Sequence, residues 1–435
     1  MRTVRRLGSS LRSFRFIHTA DIHLDSPMRG LSDDVPGVAE RLRLATREAL
    51  TALVDAAIER AVDFVVIAGD VYDGDWRDYQ TGVFFVRQMH RLAGESIPVY
   101  LIHGNHDAQN QMTRSLSLPG NVHVFSPEAA ETKTIEHLDV ALHGMSYAER
   151  AVTDNLVPGY PAPVAGVFNI GVLHTGLGGR GGHANYAPCS LDELTAKGYD
   201  YWALGHVHGA EVLAEHPHVV FSGNLQGRSI RETGAKSAYE VIVEDGRVAA
   251  LRPIHCDVAR WAETSINVSA ADDFNDVIAA MRRAIETGAD AVEGRLLAVR
   301  LHLTGTTALH DQLAAAPERL LAEARAAAAG LGTAQVYVEK IKLATAPQLD
   351  AATRRERQDA LGELQRLLDD AVDDPYIREM IEKDVRRLAE RLPHEIREHA
   401  DDALLRAAID GDTATLIHGA GDYLLSRLAA DERAT

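Results

Sequence analysis

Five short polar clusters, each at or just beyond the end of an apolar run, constrain this chain more than any other feature. They are Asp21-x-His23, Gly69-Asp70-Val71-Tyr72-Asp73, Gly104-Asn105-His106-Asp107, His174 and Gly205-His206-Val207-His208. The runs before them read as strands: Phe14–Thr19, Asp63–Ala68, Ile97–Ile102, Val167–Leu173 and Tyr201–Leu204. Between the first three, residues 38–61 and 79–92 carry helical periodicity, with Leu42, Ala45, Ala49, Leu53 and Ala57 on one face. This β-α-β-α-β alternation requires a sheet with helices packed on it. Polar groups at the carboxyl ends of such strands are where open α/β sheets place their sites.

From Asn121 to Val258 short strands dominate; Val140–Leu142, Val219–Ser222 and Ala238–Val243 join those above. The two halves together predict an α/β fold, a two-sheet sandwich flanked by helices. Trp261–Lys342 reads as a separate α+β unit. Its strands are Thr264–Val268, Leu296–Leu303 and Gln335–Ile341, and its helices Asp272–Glu286 and Leu309–Ala328. Ala346–Pro347 reads as a linker. Leu349–Leu428 is helical in pattern, with breaks expected at Pro375, Pro393 and Gly411. The stripe Leu361, Leu364, Leu368 reads as internal core, with a partner groove as the alternative. The expected organisation is a disordered basic leader over 1–13, a catalytic sandwich over 14–258, a small α+β domain over 259–345 and a helical tail over 346–435.

A chain of 435 residues with 46% hydrophobic and 25% charged residues is expected to be globular and multidomain. No apolar run reaches the roughly 18–20 residues that a membrane helix needs. Cys189 and Cys256 are the only cysteines, which excludes a disulfide framework and a CxxC zinc site and points to the reducing cytoplasm. The net charge of −18 opposes nonspecific DNA binding. The acid is uneven, however: from Ala346 onward there are 13 basic and 21 acidic residues, so much of the excess lies away from the clusters.

The residue types point to phosphoester chemistry. A phosphodiester is anionic and resists attack; two divalent ions ~3.5–4 Å apart activate water and clamp the phosphoryl oxygens. Asp70 is the natural bridging carboxylate. Asp21 and His23 alternate along an extended segment and can face one ion. His206 and His208 share that spacing and can approach from the opposite side. Asn105 offers a carbonyl oxygen and His174 an imidazole. Nitrogen and oxygen donors without thiolate suit Mn²⁺, Fe or Zn²⁺, with Mn²⁺ preferred. Arg228, Arg231 and Lys236 are candidate contacts to DNA phosphates near the ions. The glycine-rich stretch Gly176–Gly182 reads as a flexible substrate loop; it lacks the Lys and Ser/Thr of a nucleotide P-loop.

The ordered set resembles the calcineurin-like metallophosphoesterases, and in its DxH, GDVYD, GNHD, LHT and GHVH forms the SbcD-type DNA-repair nucleases. The segments GGRGGHANYAPCSL (178–191), YWALGHVH and SGNLQGRSIRETG are similar to a YhaO-like branch of that group. The resemblance covers roughly residues 14–255. It implies one ion held by Asp21, His23, Asp70 and His208, and another by Asp70, Asn105, His174 and His206. It makes His106 the catalytic residue that contacts the scissile phosphate or protonates the leaving oxygen. Archaeal relatives carry a second His three residues after the bridging Asp where this chain has Asp73, which leaves that residue's role open, orientation of His106 being one reading. The implied activity is 3′→5′ exonuclease and endonuclease on DNA. The α+β unit would position DNA, and the helical tail would dock an SbcC-like coiled-coil ATPase; relatives also form homodimers. The alternative is a two-metal phosphoesterase acting on nucleotides or other small phosphoesters.

Overall fold

Alternation of inward and outward side chains sets the first sheet. The computed structural model describes residues 12–28, 38–73, 79–109, 117–179, 184–331, 335–348, 353, 355–392, 397 and 402–434. The expected leader lies almost wholly outside these residues, as do Pro393, His183 and the end of the glycine-rich stretch. Strands β1 (Phe14–Thr19), β2 (Phe64–Ala68), β3 (Val99–Ile102) and β4 (Val122–Val124) run parallel. They are joined across β1 by antiparallel β11 (Ser237–Glu244) and β12 (Arg247–His255), in the order β12-β11-β1-β2-β3-β4. Ile17, Val65, Ile67, Val99 and Leu101 point to one side, where Leu50, Leu53 and Val54 of α1 (Val38–Glu59) and Phe85, Met89 and Leu92 of α2 (Tyr79–Gly94) cover them. Phe16, Phe64, Val66, Tyr100 and Ile102 point to the other side.

That second face meets the second sheet. Its order is β5-β6-β7-β8-β10-β9, from Glu131–Ile135 (β5), Val140–Gly144 (β6), Phe168–His174 (β7), Tyr201–Gly205 (β8), Glu211–Glu215 (β9) and His218–Phe221 (β10). Leu142, Phe168, Ile170, Val172, Tyr201 and Ala203 complete the inter-sheet core. The Leu, Phe, Ile and Val side chains among these contribute ~1.5–3 kcal/mol each when taken fully out of water. The outer face, with Trp202, Leu204 and Phe221, packs on Leu194 of α4 (Leu191–Ala196). The remaining short helix, α3 (Asn105–Gln109), directly follows the turn after β3. The expected two-sheet sandwich is therefore the observed one.

The chain divides into two compact units, residues 1–262 with 289–298, and residues 263–288 with 299–435. A third sheet, β13-β14-β15, is formed by Ala259–Asn267, Leu296–Thr307 and Val336–Pro347. Two expectations change here. Ala346 and Pro347 are not a linker but the end of β15, and proline closes a strand naturally because it cannot donate to the ladder. The expected helix Leu309–Ala328 is two helices, α6 (His310–Ala315) and α7 (Pro317–Ala329), because Pro317 is tolerated only in a first helical turn. With α5 (Phe274–Ala291) they form the helical part of this region.

The tail contains α8 (Ala360–Asp373), α9 (Pro375–Ala389), α10 (Ala403–Asp410) and α11 (Thr413–Ala434). The break at Pro375 falls where expected, with Asp374 capping the next helix; Gly411 ends α10 at φ +75°. Leu361, Leu364 and Leu368 pack on Leu425 and Leu428 of α11, so that stripe is internal core.

Candidate metal centre

The segments that leave β1 and β2 are fastened side by side. Asp21 N–H donates to Gly69 O (3.0 Å), His23 N–H to Asp70 O (3.1 Å) and Leu24 N–H to Val71 O (2.9 Å). Asp21, His23, Asp70 and His206 have φ of +51°, +45°, +53° and +98°. Non-glycine residues rarely adopt such values, and they cluster where function over-determines the backbone. Asp107, the last residue of the GNHD turn, ties this ledge to the next one. Its buried carboxylate accepts from the backbone N–H groups of Val71 (3.2 Å), Tyr72 (2.9 Å) and Gly104 (3.1 Å). Burial and the Asp70 carboxylate push its pKa up to about 6 against those donors.

Glycines permit close approaches around Asp70. A methyl group on Gly205 would lie 2.0 Å from Ala68 O, and one on Gly104 would lie 2.3 Å from Asp70 Oδ1. Glycine there lets β8 and the turn after β3 close on Asp70.

The sequence-predicted ligands converge. Ligand atoms of Asp21, His23 and His208 lie within 4.8 Å of one another, as do those of Asp70, His174 and His206. Asn105 Oδ1 lies 3.0 Å from His174 Nε2, and Asp70 Oδ2 lies 3.3 Å from the same nitrogen. Asp21, His23, Asp70, Asn105 and His174 are each at most 3% exposed. Carboxylates at this depth need compensating charge. Burial raises Asp21 to about 7, with Asp70 adding to the shift and His174 opposing it. Burial would also raise Asp70, but His174 and His106 hold it below the usual carboxylate range. Burial lowers His174, yet Asp70 and Asp21 carry it to about 9.

The donor set fits a pair of cations. His174 Nδ1 donates to Ala68 O (2.9 Å), leaving Nε2 to the cluster. His206 Nε2 donates to Ala184 O (2.8 Å). His23 Nδ1 is buried with no hydrogen-bond partner, and His23 Nε2 lies 3.1 Å from His208 Nε2. Burial and the nearby cationic groups hold His23 neutral. A divalent ion binds neutral imidazoles, so it would take the place of the proton that Asp70 and Asp21 hold on His174.

His106 stands against this cluster, with its Nδ1 2.8 Å from Asp73 Oδ1. Burial lowers its pKa, but the hydrogen bond to Asp73 and the charge of Asp70 outweigh burial and raise it. Ser26 donates to the other Asp73 oxygen (2.5 Å). Asp73 thus occupies the orienting position that the sequence left open.

The candidate DNA contacts separate. Arg228 lies inside the site, with Nη1 3.0 Å from Ser26 Oγ and 3.6 Å from Asp73 Oδ2. Arg231 is exposed. Lys236 is buried, within electrostatic reach of Glu232 and Asp257, and is not a surface contact. Sequence reasoning missed Glu232, which accepts from His208 Nδ1 at 2.7 Å; its only signal was its place in SGNLQGRSIRETG.

Comparison with known proteins gives the same picture. The chain is 36% identical over 307 residues to the metallophosphoesterase YhaO of Bacillus subtilis, covering 68% of this chain and 73% of that one. It belongs to the calcineurin-like metallophosphoesterase family. The family model for calcineurin-like phosphoesterases matches residues 14–210, and that for the middle domain of metallophosphoesterase YhaO matches 261–346. This metallophosphoesterase is also 26% identical over 211 residues to the DNA double-strand break repair protein Mre11 of Methanopyrus kandleri, covering 45% of this chain and 44% of the relative. Among solved structures, TT1561 of Thermus thermophilus aligns with a TM-score of 0.34 at 14% identity, over 56% of this chain and 100% of that one. The metallophosphoesterase is a metal-dependent hydrolase. Among the described residues no helix is long and apolar enough to cross a membrane.

Proposed function

We propose that this metallophosphoesterase is a DNA exonuclease and endonuclease acting in DNA repair. The observation that carries the reading is the His106–Asp73 pair set against a double cluster of ligands. Asp21, His23, Asp70 and His208 would hold one ion, and Asp70, Asn105, His174 and His206 the other, with Mn²⁺ suited to the donors. When bound, the pair supplies an activated water and charge to neutralise the phosphoryl oxygens. His106 keeps one proton on Nδ1 for Asp73 and delivers the other from Nε2 to the departing 3′-oxygen. The hydrogen bond to Asp73 favours the protonated imidazole that such a donor needs. Arg231, exposed close by in sequence, is a candidate phosphate contact.

DNA as substrate is supported by the likeness to a relative named for double-strand-break repair. It is supported too by a middle domain and helical tail for which a small-molecule enzyme has little use. The tail exposes Tyr376, Met380 and Leu388 on α9, apolar side chains suited to docking an SbcC-like ATPase. Homodimerisation and a cytoplasmic location complete the proposal.

The test compares Mn²⁺-dependent degradation of linear DNA with hydrolysis of small phosphodiesters by the full chain. DNA cleavage that disappears in His106→Ser with metal content retained is expected. Hydrolysis confined to small diesters would favour the nucleotide-type reading, and unchanged DNA turnover in His106→Ser would remove His106 as proton donor.

A further inference from the structure

Three of the four histidines of the centre have one ring nitrogen tied to an acceptor outside the cluster. For His174 and His206 that acceptor is a backbone carbonyl, of Ala68 and Ala184. For His208 it is a carboxylate, Glu232, whose Oε1 lies 2.7 Å from Nδ1. Glu232 is itself fixed. Its Oε2 accepts from the Arg228 backbone N–H (2.7 Å) and from Nδ2 of Asn224 (3.0 Å), a side chain that is 1% exposed. The Asn224 N–H in turn donates to His208 O (3.3 Å). The turn 224–232 is thus built around one carboxylate aimed at one imidazole.

We infer that Glu232 is a positioning residue that sets the tautomer of His208 and so completes one of the two cation sites. An ionised carboxylate accepts and cannot donate, so at 2.7 Å it places the His208 proton on Nδ1, ahead of the Arg228 Nη2 donor that lies 3.4 Å from the same nitrogen. The Nε2 lone pair is then turned to the cluster, 3.1 Å from His23 Nε2 and 4.0 Å from Asp21 Oδ1. A carboxylate behind a ligating imidazole also raises its basicity, and loss of such a partner typically weakens metal binding by about 10–100-fold. Arg228 extends the arrangement. Its Nη2 lies 3.4 Å from Glu232 Oε1, while Nη1 reaches Ser26 and the Asp73 carboxylate that orients His106. One guanidinium therefore stands between the carboxylate that holds His208 and the one that holds His106.

The inference rests on the reading that Asp21, His23 and His208 hold a cation. Its sharpest perturbation is Glu232→Gln, which keeps size and shape. The Arg228 and Asn224 donors fix the amide oxygen on their side, which turns the amide NH₂ toward His208 Nδ1. That reverses the tautomer and places a proton on Nε2, where the ion should sit.

Two measurements on the full chain test this. The first is Mn²⁺ titration followed by the EPR signal of free ion. The wild type is expected to bind two ions, and Glu232→Gln to lose about 10–100-fold in affinity for one of them only. Equal affinities in wild type and variant, or equal losses at both ions, would overturn the inference. Fewer than two ions bound by the wild type would instead sink the two-cation reading on which it stands. The second is the ¹⁵N spectrum of labelled histidine in the metal-free wild type, which needs no variant to fold. His208 is expected as the Nδ1–H form; an Nε2–H resonance with a bare Nδ1 would overturn the role given to Glu232.

Discussion

Asp107 offers the most quantitative test of how the fold presents the centre. Its side chain is 1% exposed and takes three backbone donors: Oδ2 those of Val71 and Gly104, Oδ1 that of Tyr72. Asp107→Ala orphans all three, and each buried unsatisfied donor costs ~1–3 kcal/mol. Removing the carboxylate also removes its own burial cost, so the net loss is expected at ~3–5 kcal/mol rather than the full sum. Asp107→Asn retains one acceptor oxygen. That oxygen can serve Val71 and Gly104 while the amide NH₂ opposes the Tyr72 donor, which limits the loss to ~1–3 kcal/mol. Urea unfolding followed by the fluorescence of Trp202 and Trp261, both buried in the first unit, reads these differences. Both variants should also bind Mn²⁺ more weakly, since Asp70 and Asn105 lie beside the backbones that Asp107 holds. An Ala variant within about 0.5 kcal/mol of wild type, the range of an ordinary surface substitution, would refute the reasoning.

Two further outcomes follow from the geometry. Gly205→Ala would set a methyl 2.0 Å from Ala68 O and 2.9 Å from His174 Nδ1, so calorimetry should show a loss of about 3 kcal/mol, the upper end for overpacking; a wild-type melting temperature would contradict the close approach. His18 is fully buried between Tyr201 Oη (3.0 Å) and Leu204 O (3.2 Å), and burial lowers its pKa from 6.5 to about 3. The stability it contributes is therefore complete above 6.5 and declines as pH falls toward 3. Between about pH 7.5 and about pH 5.5 the wild type should lose about 1.4 kcal/mol more than His18→Gln in urea unfolding, and parallel pH profiles would contradict this.

Much of the sandwich was legible because its central strands are buried on both faces and read as continuous apolar runs, as in Phe64–Ala68 and Phe168–His174. The four strands the sequence did not disclose in the first two sheets, β4, β5, β9 and β12, all lie at sheet edges. Edge strands are half wet: Glu211–Glu215 has no buried residue, and Arg247–His255 has one. The convergence of the candidate ligands was legible for a related reason. Each sits at or just past the end of a recognisable strand, and residue chemistry did the rest. Glu232 and Lys236 lie in a turn whose path is set by tertiary contacts. Glu232 therefore escaped notice, while Lys236 looked like a surface cation when it is buried. The proline inside the expected helix 309–328 was visible in the sequence and marks the boundary that the periodicity concealed.

Sharing of the Asp70 carboxylate between two cations is the claim on which the rest depends. Crystals of the full chain grown in excess Mn²⁺, measured at the manganese edge, test it directly. Two anomalous peaks ~3.5–4 Å apart are expected, with Asp70 touching both, Asp21, His23 and His208 around one, and Asn105, His174 and His206 around the other. A single peak, or two peaks with Asp70 bound to neither or to one alone, would contradict it.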